Sequence, residues 1–307
     1  MRLVLASEGS AEANAAASLL IAGARRDEVS VTVLSVAALG GSSHGWPPDY
    51  LKEAVARDLE RAEKTAAAVS DRLARSGFRT TARTGNGHPG TEVLRELERE
   101  DVGLAVLGYG THRWLGTRLL GSTGSYVLQE APTPVLLVHR APPSLEHLHV
   151  LVATDGSPGA LAAASMVPTL LDPARCSLEV VSASVMPPTW AAAVDSGLVA
   201  PYVGSALTPD AFEELIGAER AQTETIASRT AEQLRAEGFR TDVQALFGPV
   251  KSSLLRETEY GHFDLVVVGS RGLGPIRRAL MGSVSEAMVN HTPATLVGRR
   301  RSPSGED

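Results

Sequence analysis

The sequence predicts an α/β protein built from two doubly wound parallel five-stranded sheets in tandem, and three observations carry that reading. The chain has 307 residues, twice a typical domain of about 150. It repeats itself: LVLASEGS at 3–10 matches VLVATDGS at 150–157, and GFRT at 77–80 recurs at 238–241. Within each copy, continuous Val/Leu runs alternate with Ala-rich or charged helical stretches, as expected for strands covered on both faces.

The repeat places the elements. At an offset of 147, AAAS at 15–18 aligns with 162–165, and VTVLSVA from Val31 aligns with LEVVSAS from Leu178. From GFRT onward the offset is 161, carrying AVLGYG (105–110) onto VVVGSR (266–271) and Gly121-Ser122 onto Gly282-Ser283. The second copy has therefore gained 14 residues between its second strand and second helix, within Met186–Thr208. In the second copy, strands are expected at 150–154, 178–184, 240–246, 264–268 and 294–298. Ser157 followed by Pro158 reads as an N-cap and a first-turn proline, opening a helix to about Leu171. Further helices are expected at about 209–237, at 249–260 and from Ser283. The first copy should match, with strands near 2–6, 30–36, 78–84, 103–107 and 134–138. A short joint, Arg140–Leu148 with Pro142 and Pro143, divides the chain into domains 1–140 and 148–300, with a tail at 301–307.

Bulk chemistry excludes several classes. A net charge of −6 and a pI near 5.8 disfavour nucleic acid and anionic membranes as partners, and Arg299–Arg301 reads as a solvated tail. Aromatics make up 4% of residues, too few for a base-stacking platform. A single cysteine, Cys176, excludes an internal disulfide framework and reads as a buried, inert thiol. No run reaches the ~18 apolar residues that span a bilayer, and the N-terminus opens directly on a strand, so the expected location is the cytoplasm.

The strongest local signal is the glycine-rich stretch from Gly269 through Gly272 to Gly282, Ser283 and Ser285, lying between an apolar strand and a helix start. Closely spaced glycines let backbone amides approach an anion, and the helix start adds unpaired N–H groups and a positive dipole end. The plain alternative is a surface loop with a Gly-Ser cap.

The spacing Gly-x2-Gly-x9-Gly-Ser, with Asp155-Gly156-Ser157 after the first strand of the copy, resembles the ATP-binding class of the universal stress protein family, in two tandem domains covering essentially the whole chain. The resemblance implies an adenine nucleotide alpha hydrolase-like sheet of order 3-2-1-4-5. It also implies a nucleotide, ATP or else ADP or AMP, with or without magnesium. By position it assigns Asp155 to the nucleoside, the backbone at Ala183 to the adenine, and Gly269, Ser270, Arg271, Gly272, Gly282, Ser283, Val284 and Ser285 to ribose and phosphates. In such a sheet the first and fourth strands of a copy adjoin at the topological switch point, where ligands bind. Asp155 can equally serve as an Asx turn. Family domains pair through their last strands, which implies an intramolecular pseudo-dimer using 134–138 and 294–298, with a further homodimer left open.

The first copy departs from the pattern. Glu8 replaces the aspartate, and Thr111 replaces the second motif glycine after Gly108 and Gly110. That copy is expected to bind nucleotide weakly or not at all, or to have acquired another role. Weaker signals read as structural. Gly85, Gly87 and Gly90 match GxGxxG without the acidic ribose reader, and so mark a tight turn. His147 and His149 lack a third metal ligand. Arg271, Arg277 and Arg278 could pair with phosphates or simply face solvent.

The leading functional reading is a nucleotide-responsive stress-adaptation module, not an enzyme, acting through an unidentified protein partner. The alternatives are a slow ATPase or nucleotidyl-transfer enzyme on the same fold, and a ligand-free scaffold.

Overall fold

The protein is described here from a computed structural model, which covers residues 1–38, 48–99, 101–110, 121–184, 209–270 and 281–298, with backbone alone at 48, 50 and 209–216. Thr111, Arg271, Gly272, Arg277, Arg278, Arg299–Arg301 and the Met186–Thr208 segment lie outside the described residues.

The first copy runs β1 (Arg2–Ala6), α1 (Ala11–Gly23), β2 (Ser30–Ala37), α2 (Pro48–Arg75), β3 (Arg79–Asn86), α3 (Pro89–Leu97), β4 (Val102–Gly108), α4 (Ser122–Glu130) and β5 (Val135–Val138). The second runs β6 (Leu148–Ala153), α5 (Pro158–Leu170), β7 (Cys176–Ser184), α6 (Pro209–Ala236), β8 (Arg240–Phe247), α7 (Val250–Tyr260), β9 (Leu265–Gly269), α8 (Ser283–His291) and β10 (Ala294–Gly298). α5 starts as its sequence says: Ser157 Oγ accepts from the Ala160 amide, and Pro158 follows.

The strands join in the order β3-β2-β1-β4-β5-β10-β9-β6-β7-β8. Each half is parallel and has the expected 3-2-1-4-5 order, but the halves form one ten-stranded sheet. Alternate residues feed opposite faces. Leu3, Leu5, Val150 and Val152 enter one apolar cluster with α1, α2, α5 and α6, while Val4 and Leu151 enter the other with α3, α4, α7 and α8. Both clusters cross from one copy into the other.

Two seams join the copies. β5 and β10 pair antiparallel, with Val135 opposite Val297 and Leu136 opposite Leu296. The repeat offset of 161 exchanges these two pairs, so the contact is isologous, as between identical subunits. It also covers two sheet edges that would otherwise be open. The second seam is a bridge between Ala24 and Leu171, positions related by the 147 offset. Beside it the Asp172 amide donates to the Gly23 carbonyl (2.8 Å) and Arg25 Nε to the Leu171 carbonyl (2.9 Å). A Cβ on Gly23 would lie 2.2 Å from Leu148 Cδ1, so any side chain there would have to displace Leu148. Cys176 is buried at the same seam, where burial pushes its thiol up to about 12 and leaves it unreactive. Among the described residues no helix is long and apolar enough to cross a membrane.

Candidate functional site

β6 and β9 adjoin in the sheet, and their carboxyl ends open a cleft at the switch point of the second copy. The cleft there is open to solvent and encloses about 100 Å³, smaller than a typical small-molecule site. Its apolar walls come from Val181 and Ala183 on β7, Val250 and Leu254 on α7, and Val268 on β9. Asp155 stands at one side and Gly269, Val284 and Ser285 at the other.

The turn after β6 is locally determined. Asp155 Oδ1 accepts from the Ser157 amide (3.0 Å) and Thr154 Oγ1 from the Gly156 amide (3.2 Å), while Gly156 takes the left-handed φ of 72°. The structural role foreseen for Asp155 is therefore real, and the half-buried side chain also lines the pocket.

Gly269 is glycine for a packing reason. A Cβ there would lie 2.7 Å from the Ala160 amide nitrogen, so β9 passes against the first turn of α5 without a side chain between. Gly282 has a φ of −63°, open to any residue, and its amide donates to the Ser270 carbonyl (2.9 Å), drawing the two ends of the loop together. Neither glycine has a left-handed φ. Ser285 turns inward. It is buried, and its hydroxyl already donates to the Gly269 carbonyl (2.6 Å), fastening α8 to β9. Ser283 is exposed at the helix start.

Of the candidate residues, Asp155, Ala183, Gly269, Val284 and Ser285 line one pocket, and Ser270, Gly282 and Ser283 flank it. Sequence reasoning missed Ala153, Thr154, Ala160, Val181, Val250, Leu254 and Val268. The repeat carries a signal for two walls: Val181 and Ala183 become Leu34 and Val36 in the first copy, larger side chains at the same strand positions.

The first copy keeps the helix cap and the close approach of strand to helix. Ser10 Oγ caps α1 through the Ala13 amide (3.1 Å), and Gly108 sits against α1, its Cβ position 2.3 Å from the Ala13 nitrogen. Glu8 is exposed. Above Gly110 lies a carboxylate of the protein's own, with Glu12 Oε1 at 3.3 Å from the Cβ position; the second copy has Gly159 there.

The other candidates are structural. His147 Nε2 meets Ser177 Oγ (3.0 Å), and His149 Nδ1 meets the Gly261 carbonyl (3.1 Å). Among the described residues no His, Cys, Asp and Glu converge as a metal site. Gly87, at φ 130°, makes the turn between β3 and α3.

Comparison with known proteins agrees with the repeat. The profile of the universal stress protein family matches residues 1–139 and again 147–297. A Thermus aquaticus universal stress protein, named for its place in a QAH/OAS sulfhydrylase 3′ region, is 34% identical over 144 residues, covering 44% of this chain and 96% of its own. Among solved structures, a universal stress protein of Archaeoglobus fulgidus superposes with a TM-score of 0.63 at 18% identity over 98% of both chains. A Pseudomonas aeruginosa chain of the same family gives 0.58 at 14% identity, covering 98% of this chain and 93% of its own. These structural likenesses speak for the fold. Matched twice along nearly its full length, the chain belongs to the universal stress protein family, as two such domains in tandem.

Proposed function

We propose that the chain is a nucleotide-responsive stress-adaptation module whose second domain, 148–300, binds an adenine nucleotide while its first, 1–140, does not. The observation that supports this most is the asymmetry of the two switch points. The second copy offers an apolar slot between Val181, Ala183 and Leu254, fit for a flat base, beside Asp155 and a helix start fit for ribose and phosphate. At the matching positions the first copy sets Leu34, Val36 and Glu12. A carboxylate there repels phosphate. Asp155 is the one titratable side chain on the described pocket walls, which favours binding over acid–base chemistry, and magnesium would be held through phosphates and water. The isologous β5–β10 contact supports an internal pseudo-dimer as the working unit.

Thermal unfolding with and without ATP and magnesium tests the reading. Ligand at about a hundred times its Kd should stabilise the wild type by roughly 2.7 kcal/mol, and Asp155→Ala with Gly282→Val should lose that shift. An absent shift in ligand-free wild type favours the scaffold reading. Turnover above background that Asp155→Ala abolishes favours a slow ATPase.

A further inference from the structure

The helix that closes the pocket is tied to the other domain. The last carbonyls of a helix lack partners within it. In α8 the Met288 carbonyl accepts from the Thr292 amide (3.0 Å) and hydroxyl (2.8 Å), both local. The Val289 carbonyl instead accepts from the hydroxyl of Tyr109, which belongs to the first copy.

Tyr109 follows Gly108 at the end of β4, inside the stretch that corresponds to the second copy's glycine-rich loop. It is 4% exposed and held from behind: its amide donates to the Val138 carbonyl (2.9 Å), its carbonyl faces His139 Nδ1 (3.2 Å), and the two rings lie 5.4 Å apart. The corresponding residue in the second copy is Ser270, whose carbonyl accepts from Gly282 and whose side chain is too short to reach across. At the opposite end of α8, Val284 and Ser285 form the pocket wall, and Ser285 fastens that end to Gly269. α8 has nine residues, a rod of about 13 Å pinned at both ends.

We propose that Tyr109 is a positioning residue for the second domain's pocket: by holding Val289 it sets the placement of α8 and thus of the wall that meets the ligand's phosphates. The degenerate loop of the first domain thereby keeps a part in its partner's binding. This rests on the nucleotide reading above. Loss of the hydroxyl leaves a buried carbonyl without its donor and frees the helix end to shift.

The test is Tyr109→Phe in the full chain, which keeps the ring. Two quantities are read: hydrogen exchange of the α8 amides without ligand, and affinity for ATP and for adenosine by calorimetry. The expected result is faster exchange in α8 and an ATP affinity reduced about fivefold, with adenosine binding unchanged. A residue that only supports the fold would not move the ATP-to-adenosine ratio. Wild-type exchange in α8, or equal losses for ATP and adenosine, overturns the proposal. A wild type that binds no ATP overturns the nucleotide reading and this inference with it, an outcome visible without the variant.

Discussion

The two copies share a fold, a strand order and most of a motif, yet differ where a ligand would touch them. Gly108 and Gly269 hold the same position, and in both a Cβ would run into backbone of the facing helix, at 2.3 and 2.7 Å. That glycine is demanded by the sheet-to-helix packing whether or not anything binds. Its presence in the first copy is therefore no trace of lost binding, and in the second no proof of it. Informative differences are those the fold leaves free: Ala183 against Val36, Gly159 against Glu12, Asp155 against Glu8 and Ser270 against Tyr109.

The largest effect should show no difference between the copies. Gly108→Ala and Gly269→Ala should each destabilise the ligand-free chain by about 3 kcal/mol, the upper end for overpacking, because helix backbone cannot move aside. A wild-type melting temperature for either would remove the packing argument. The next largest separates the copies. Asp155→Ala should abolish a nucleotide-dependent stabilisation of roughly 2.7 kcal/mol, and Glu8→Ala should leave it whole. Equal loss in both variants, or two nucleotides bound per chain by calorimetry, would make the two sites equivalent.

A third contrast lies under α3 and α7. Glu96 is 6% exposed and meets Arg99 Nε at 2.9 Å and Arg83 Nε at 3.5 Å. Its counterpart Glu257 has Gln244 and Tyr260 where those arginines stand, with Gln244 Nε2 donating to Glu257 Oε2 (3.2 Å). Glu96→Gln should cost about 1–2 kcal/mol, less than a fully buried pair because both arginines are more than a third exposed. Glu257→Gln should cost nothing. Chemical denaturation of both variants decides it, and equal losses would show that the arginines contribute little.

Much of this was legible in the sequence, for physical reasons. Strands buried on both faces read as continuous Val/Leu runs, so all ten were placed to within about two residues, and Ser157-Pro158 announced α5. Strand order followed from the family resemblance, and the switch point located Asp155 and Gly269. The rest depends on where side chains point. That Ser285 turns inward to Gly269, that Glu12 lies over Gly110 and that Gly23 admits Leu148 are facts of approach between segments remote in sequence. Residue types and spacing do not encode them. The single sheet was implied by paired last strands, but the apolar cores crossing from copy to copy were not.

The smallest contrast concerns charge without a partner. Glu179 stands where the first copy has the buried Thr32, and its carboxyl is pushed up by burial and then by Glu257 and Asp242. A folded-state value above the unfolded one means that the unfolded chain ionises first, so the fold loses stability as pH rises through the interval between them. Above both values that cost is fully present; below the ordinary carboxylate range it is absent. Glu179→Gln keeps the shape without the charge and should raise stability near pH 7 by a few tenths of a kcal/mol, a figure held low because the side chain is partly solvated. Melting curves from neutral to acid pH should show the gap between variant and wild type closing as Glu179 takes up its proton. A gap that stays constant would mean that Glu179 acts through packing alone, and the electrostatic difference between the copies would then reduce to Glu96 and its arginines.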